Sequence, residues 1–131
     1  MRKLKGLIMM LCISLSLFGM TACSDGGANS YEQITPQEAK TIMDTERDYI
    51  IIDARTTEEF AEGHIADAIL IPEYEITDRA EKELPDKDAL ILVYCRSGRR
   101  SKIASEELVK LGYTNVKEFG GIIDWPYEIV K

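Results

Sequence analysis

The sequence predicts an α/β domain on a mainly parallel sheet flanked by helices. Three observations carry this. Continuous apolar runs rich in β-branched residues, Tyr49 to Ile52 and Ala89 to Tyr94, read as strands buried on both faces. Segments with helical caps and helical apolar spacing alternate with such runs, as in α/β folds with a parallel sheet. Two strand ends, at Asp53 and Cys95, pass directly into charged loops, and ligands of parallel sheets gather beyond the carboxyl ends of the strands.

From the N-terminus, the elements read as follows. Arg2, Lys3 and Lys5 precede an apolar stretch, Leu7 to Met20, and the small residues Thr21 and Ala22 then lead to Cys23. The stretch is short for a membrane span, which needs about 20 residues, and its flanks suit a secretory signal over residues 1–22. Met20-Thr21-Ala22-Cys23 resembles the lipobox of bacterial lipoproteins. That resemblance implies lipidation of Cys23, cleavage before it, and a domain tethered to a membrane outside the cytoplasm. The alternatives are an ordinary secretory signal with an incidental cysteine, or an uncleaved anchor. Residues 23–30, small and polar after Cys23, read as a flexible linker to a domain over 31–131.

Thr35-Pro36-Gln37-Glu38 has the form of a capping box with proline at the first helical position, opening a helix to about Thr45. A strand follows through Ile52 to Asp53, then a short helix capped by Thr56 or Thr57 and stopped by Gly63. Ala68 to Ile71 reads as a strand closed by Pro72, residues 73–84 fit either a helix or irregular chain, and Pro85-Asp86 turns. After the strand Ala89 to Tyr94 comes a helix from Ser101 to Leu111, stopped by Gly112. Val116 to Phe119 is a last short strand, and Gly120-Gly121 turns into Ile122 to Tyr127.

Cysteine and charge narrow the chemistry. Of three cysteines, Cys12 would leave with the signal and Cys23 would carry lipid, so Cys95 alone remains in the domain. No internal disulfide is then possible, and stability must come from the core. The chain has 16 basic and 23 acidic residues. Losing residues 1–22 removes three basic residues and no acids, leaving 13 against 23, a net of −10. Such a field excludes nucleic acid as a partner. Against it, Arg96, Arg99, Arg100 and Lys102 form a local exception suited to a small anion.

Cys95 follows its strand directly, and a helix begins soon after. Amides in a tight turn feeding a helix N-terminus converge on an anion, and helix dipole and guanidiniums both favour thiolate over thiol. Gly98 supplies the backbone freedom to close the loop. This describes an activated sulfur nucleophile facing an anionic leaving group. The bland alternative is a buried, inert cysteine beside solvated arginines. A histidine–cysteine hydrolase has only His64 to draw on, and one His with one Cys does not fill a zinc shell, so no metal and no cofactor is expected.

Cys95-Arg96-Ser97-Gly98-Arg99-Arg100-Ser101 closely resembles the active-site loop of rhodanese-type sulfurtransferases. Asp53-Ala54-Arg55, Glu59-Phe60, Gly63-His64-Ile65 and Ala68 through Pro72 resemble the family's N-terminal signature, and Gly120-Gly121 with Trp125-Pro126 its C-terminal one. The resemblance implies a single domain with a five-stranded parallel sheet. It implies that Cys95 takes a sulfur atom from a thiosulfate-like donor as a persulfide and passes it to cyanide or a thiol. Residues 96–100 (Arg96, Ser97, Gly98, Arg99 and Arg100) would bind the substrate, their amides cradling sulfur and their arginines steering the donor. Asp53, Arg55, Glu59 and His64 would support the site, either as a structural network bracing the loop or in turnover itself. Asp67 and Ala54 depart from the family's usual glycine and valine; aspartate can adopt the turn that glycine favours.

Within this fold, phosphatases and arsenate reductases carry a longer loop, with arginine seventh. Here Arg100 is sixth counting Cys95 as first, a length suited to one sulfur atom. A non-catalytic module that carries or senses persulfide is the remaining alternative.

Overall fold

The computed structural model describes residues 30–131. The expected signal, Cys23 and the linker as far as residue 29 lie outside the described residues. The elements are β1 (Glu32–Gln33), α1 (Pro36–Thr45), β2 (Ile50–Asp53), α2 (Thr57–Glu62), β3 (Ile69–Leu70), a 3-10 turn (Glu73–Glu75), α3 (Ile76–Glu83), β4 (Ile91–Cys95), α4 (Arg99–Lys110), β5 (Val116–Gly121) and a second 3-10 turn (Ile122–Asp124). The strands form one five-stranded sheet in the order β1-β5-β4-β2-β3. Every pairing in it is parallel.

Local chemistry explains most boundaries. Thr35 accepts from the Glu38 amide at 3.0 Å while Glu38 accepts from the Thr35 amide at 2.7 Å, the reciprocal capping box that the sequence predicts. Thr56 and Glu59 repeat it at the start of α2. The stretch 73–84 resolves into a 3-10 turn and α3, whose Ile76 and Ala80 are buried. β5 runs two residues further than predicted and takes in Gly120 and Gly121.

Alternation along β4 divides the core. Ile91, Val93 and Cys95 point to one face, packing with Ile76, Ala80 and Leu84 of the α3 segment and Ala104 and Leu108 of α4. Leu92 and Tyr94 point to the other, with Ala39 of α1, Ile51, Ile65, Phe119 and Trp125. Successive residues of a strand face opposite sides, so two neighbours in sequence serve two separate layers. The nucleophile candidate Cys95 therefore faces α4, while Tyr94 faces α1.

Tyr94 is fully buried and uses its hydroxyl twice. It donates to Asp53 Oδ2 at 2.6 Å and accepts from the Ile65 amide at 3.0 Å. Burial, then the neighbouring Asp53 carboxylate, push its acidity far below that of a free phenol. Tyr94→Phe leaves a buried acceptor and a buried donor without their partner. It is expected to reduce unfolding free energy by about 1–3 kcal/mol, measured by urea denaturation.

Candidate functional site

The site lies at the carboxyl end of β4, at the middle of the sheet. α4 starts at Arg99, two residues before the predicted Ser101, because its N-cap Gly98 adopts a left-handed φ of 109°. Glycine alone takes that conformation without strain, and it lets Arg99 and Arg100 join the first helical turn. Cys95 thus sits against the N-terminus of a 12-residue helix. The Gly98 amide donates to Cys95 Sγ at 3.0 Å. Cys95 is buried, 1 % exposed, while Arg96, Ser97 and Arg99 are exposed.

A bulge holds the loop in place. Val93 pairs with Glu118, yet Cys95 pairs with Gly121, so β5 spends one extra residue between them. The backbone of Gly121 then packs directly on the loop: a Cβ there would lie 1.9 Å from the Arg96 carbonyl oxygen. The Ile123 amide donates to that same oxygen at 3.2 Å. Gly120 has φ of 89°, the left-handed region that the bulge requires. The expected turn at Gly120-Gly121 is therefore a strand end that cradles the Cys95 loop.

Two charged pairs brace the rim from β2 and α2. Asp53 is fully buried and Arg55 nearly so. The guanidinium grips both carboxylate oxygens at 2.8–3.1 Å and also donates to the Gly63 carbonyl at 2.6 Å. Burial disfavours the Arg55 charge, but the hydrogen bonds and charge of Asp53 outweigh it and raise its pKa. Arg100, expected among the donor-binding cations, is instead engaged by Glu59 through two bonds of 2.6 and 2.9 Å. The Arg100 hydrogen bond is the main reason that the Glu59 carboxyl falls to about 2. Arg96 and Arg99 are the loop arginines left facing solvent.

His64 is placed elsewhere. Its Nδ1 lies 2.9 Å from the Phe60 carbonyl, its ring stacks on Phe60 at 3.7 Å, and its backbone bridges Val130. It fastens the C-terminal segment rather than the Cys95 loop. Asp67 has φ of 67°, so aspartate does take the turn where glycine is usual. Sequence reasoning missed Tyr94, Ser101, Glu118 and the close approach of Gly121. One of these had a visible signal: a tyrosine inside a buried apolar run needs a hydroxyl partner.

A recess of about 360 Å³ opens beside the loop, lined by Arg55, Glu59, Glu62, Arg96, Ile122 and Ile123. A larger space of about 770 Å³ lies on the α1 side, among Met43, Tyr49, Ile51 and Trp125. The larger one holds none of the Cys95 loop, so chemistry rather than volume locates the site.

With this geometry in view, the rhodanese-like domain description matches residues 35–126. The chain belongs to the rhodanese-like domain family. It is 41 % identical over 80 residues to the thiosulfate sulfurtransferase PspE of Escherichia coli, covering 61 % of this chain and 77 % of that one. It is 42 % identical over 88 residues to a sulfurtransferase of Allochromatium vinosum, covering 66 % and 79 %. A solved rhodanese from E. coli with anions superimposes with a TM-score of 0.60 at 38 % identity, over 63 % of this chain and 98 % of that one.

Two expected outcomes follow from the bracing. Gly121→Ala forces β5 off the loop. It is expected to cost about 1–3 kcal/mol or more in chemical denaturation and to strip the Gly98 amide of its protection from hydrogen exchange. Glu59 has a lowered carboxyl pKa in the folded state, so its contribution to stability is present above about pH 4.5 and is lost as pH falls toward about 2. The melting-temperature gap between the wild type and Glu59→Gln is expected to be full at pH 6 and to close progressively over that window.

Proposed function

We propose that this domain is a sulfurtransferase that carries a sulfur atom on Cys95 from a thiosulfate-like anion to cyanide or a thiol. The observation that carries the reading is the placement of Cys95 Sγ at the N-terminus of α4, 3.0 Å from the Gly98 amide. A sulfur anion is stabilised there by an aimed N–H and by the positive end of a helix. The relatives named as thiosulfate sulfurtransferases support the same chemistry.

In the first half-reaction, Cys95 Sγ as thiolate attacks the outer sulfur of the donor. An Sγ–S bond forms, the S–S bond of thiosulfate breaks, and its electron pair leaves with sulfite. The charge now rests on the outer sulfur of the persulfide, in the loop of residues 96–100. In the second half-reaction, cyanide or a thiolate attacks that outer sulfur, and the thiolate of Cys95 is regenerated. Arg96 and Arg99 steer the donor and meet the departing sulfite, since Glu59 occupies Arg100.

Incubation of residues 24–131 with thiosulfate is expected to add the mass of one sulfur atom, and cyanide to release it as thiocyanate. Cys95→Ser is expected to do neither. Hydrolysis of an aryl phosphate without a sulfur adduct would replace this reading with the phosphatase one, and inertness in both assays with the binding module. The proposal extends to location: Cys23 carries lipid and tethers the domain outside the cytoplasm. Incorporation of labelled fatty acid is expected in the full chain and absent from Cys23→Ala; label that persists in the variant refutes the anchor.

A further inference from the structure

Cys95 presents a difficulty that the reaction above leaves open. Its sulfur must lose a proton before it attacks, yet the residue is only 1 % exposed. The side chain within reach is Ser101 on the third residue of α4, fully buried, with Oγ 3.3 Å from Cys95 Sγ in the sense S–H to oxygen. Behind it stands Glu118 of β5, a carboxylate only 2 % exposed. Ser101 Oγ donates to Glu118 Oε1 at 2.6 Å, and the Gly120 amide donates to the same oxygen at 2.8 Å.

A hydroxyl has one hydrogen, so the three acceptors around it compete for it. The Gly98 carbonyl lies 3.0 Å away, the Gly120 carbonyl 3.4 Å and Glu118 Oε1 2.6 Å. The nearest acceptor is also a carboxylate oxygen, the strongest acceptor of the set where it carries charge. The hydrogen therefore lies toward Glu118, leaving an oxygen lone pair for the Cys95 S–H. Strand alternation builds this line: Cys95 and Glu118 both face α4, and Ser101 comes down between them.

We propose that Ser101 and Glu118 form the proton acceptor of Cys95. Ser101 Oγ takes the S–H proton while it gives its own hydrogen to Glu118 Oε1. The S–H bond and the Ser101 O–H bond break, a new O–H forms on each oxygen, and the products are a Cys95 thiolate and a protonated Glu118. One negative charge moves from carboxylate to sulfur, so two anions never share the buried space, which would be costly. When the acceptor removes the outer sulfur, the proton returns by the same path. Ser101 touches the reacting sulfur and is a catalytic residue; Glu118 acts through it as a positioning and proton-holding residue. The other charged or titratable side chains near the line are Arg100, bound by Glu59, Lys102 and Asp124, which line one recess with Glu118, and Tyr31 beside Glu118. None of these four hydrogen-bonds Ser101 or Cys95 Sγ among the described contacts.

The inference rests on Cys95 being the sulfur acceptor, and the test separates the two. Single-turnover sulfur uptake from thiosulfate is followed by intact mass in the wild type, Ser101→Ala, Ser101→Val, Ser101→Thr and Glu118→Gln. Alanine and valine at 101, and glutamine at 118, are expected to lower the maximal uptake rate at least tenfold with half-saturating thiosulfate unchanged. Ser101→Thr, which keeps the hydroxyl and has the size of valine, is expected to stay within about threefold of the wild type. Equal rates for the threonine and valine variants, or a wild-type rate in Glu118→Gln, would overturn the relay. A second readout uses the wild type alone: the infrared difference between persulfide and resting protein is expected to show the C=O band of a protonated carboxyl. Its absence overturns the relay even if the variants fail to fold. A wild type that never takes up sulfur sinks the sulfurtransferase reading instead.

Discussion

The Cys95 loop keeps its shape because the backbone of β5 leans on it with nothing between. Residue 121 has no side chain, and the carbonyl of Arg96 occupies the space where one would begin. That carbonyl is held a second time by the Ile123 amide. Everything chemical at the site depends on this close approach. It lets the strand turn into α4 within four residues, aims the Gly98 amide at the sulfur, and brings Ser101 over Glu118.

Around that contact, charge is used for position more than for attraction. Four of the six charged side chains at the rim are spent on one another or on carbonyls. Asp53 and Arg55 lock the end of β2 to the Gly63 carbonyl and, through Tyr94, to the central strand. Glu59 takes Arg100 away from solvent and ties α2 to the first turn of α4. The buried Asp53–Arg55 pair is the costly one to break, because each partner would be left desolvated and unpaired. The domain thus reaches a rigid rim with no disulfide, and it leaves Arg96 and Arg99 free in an otherwise acidic protein.

The bulge in β5 links these features. One extra residue between the pairs Val93–Glu118 and Cys95–Gly121 turns the strand so that Glu118 stays under α4 while Gly121 reaches the loop. Without it, alternation would carry a side chain into the space that the loop needs. A local defect in the ladder therefore serves both the support of the loop and the line from Cys95 to Glu118.

The sequence by itself determined the α/β class, the capped helices, the buried central strands and the place of the charged loop after Cys95, because these depend on short-range chemistry. Apolar runs bury strands, Thr and Glu three apart cap helices, and a cysteine ahead of glycine and arginines marks an anion site. What it could not determine are contacts between residues far apart in the chain. Glu118 looks like a surface residue in Val-Lys-Glu-Phe until β5 is placed between β1 and β4 with α4 above it. β1 is two residues long, too short for any periodicity to show. Arg100 reads as a free cation until α2 brings Glu59 across, and His64 reads as a site residue until the C-terminal segment folds back to meet it. Packing chose the partners in each case, since burial and pairing are properties of the assembled layers and not of any one segment.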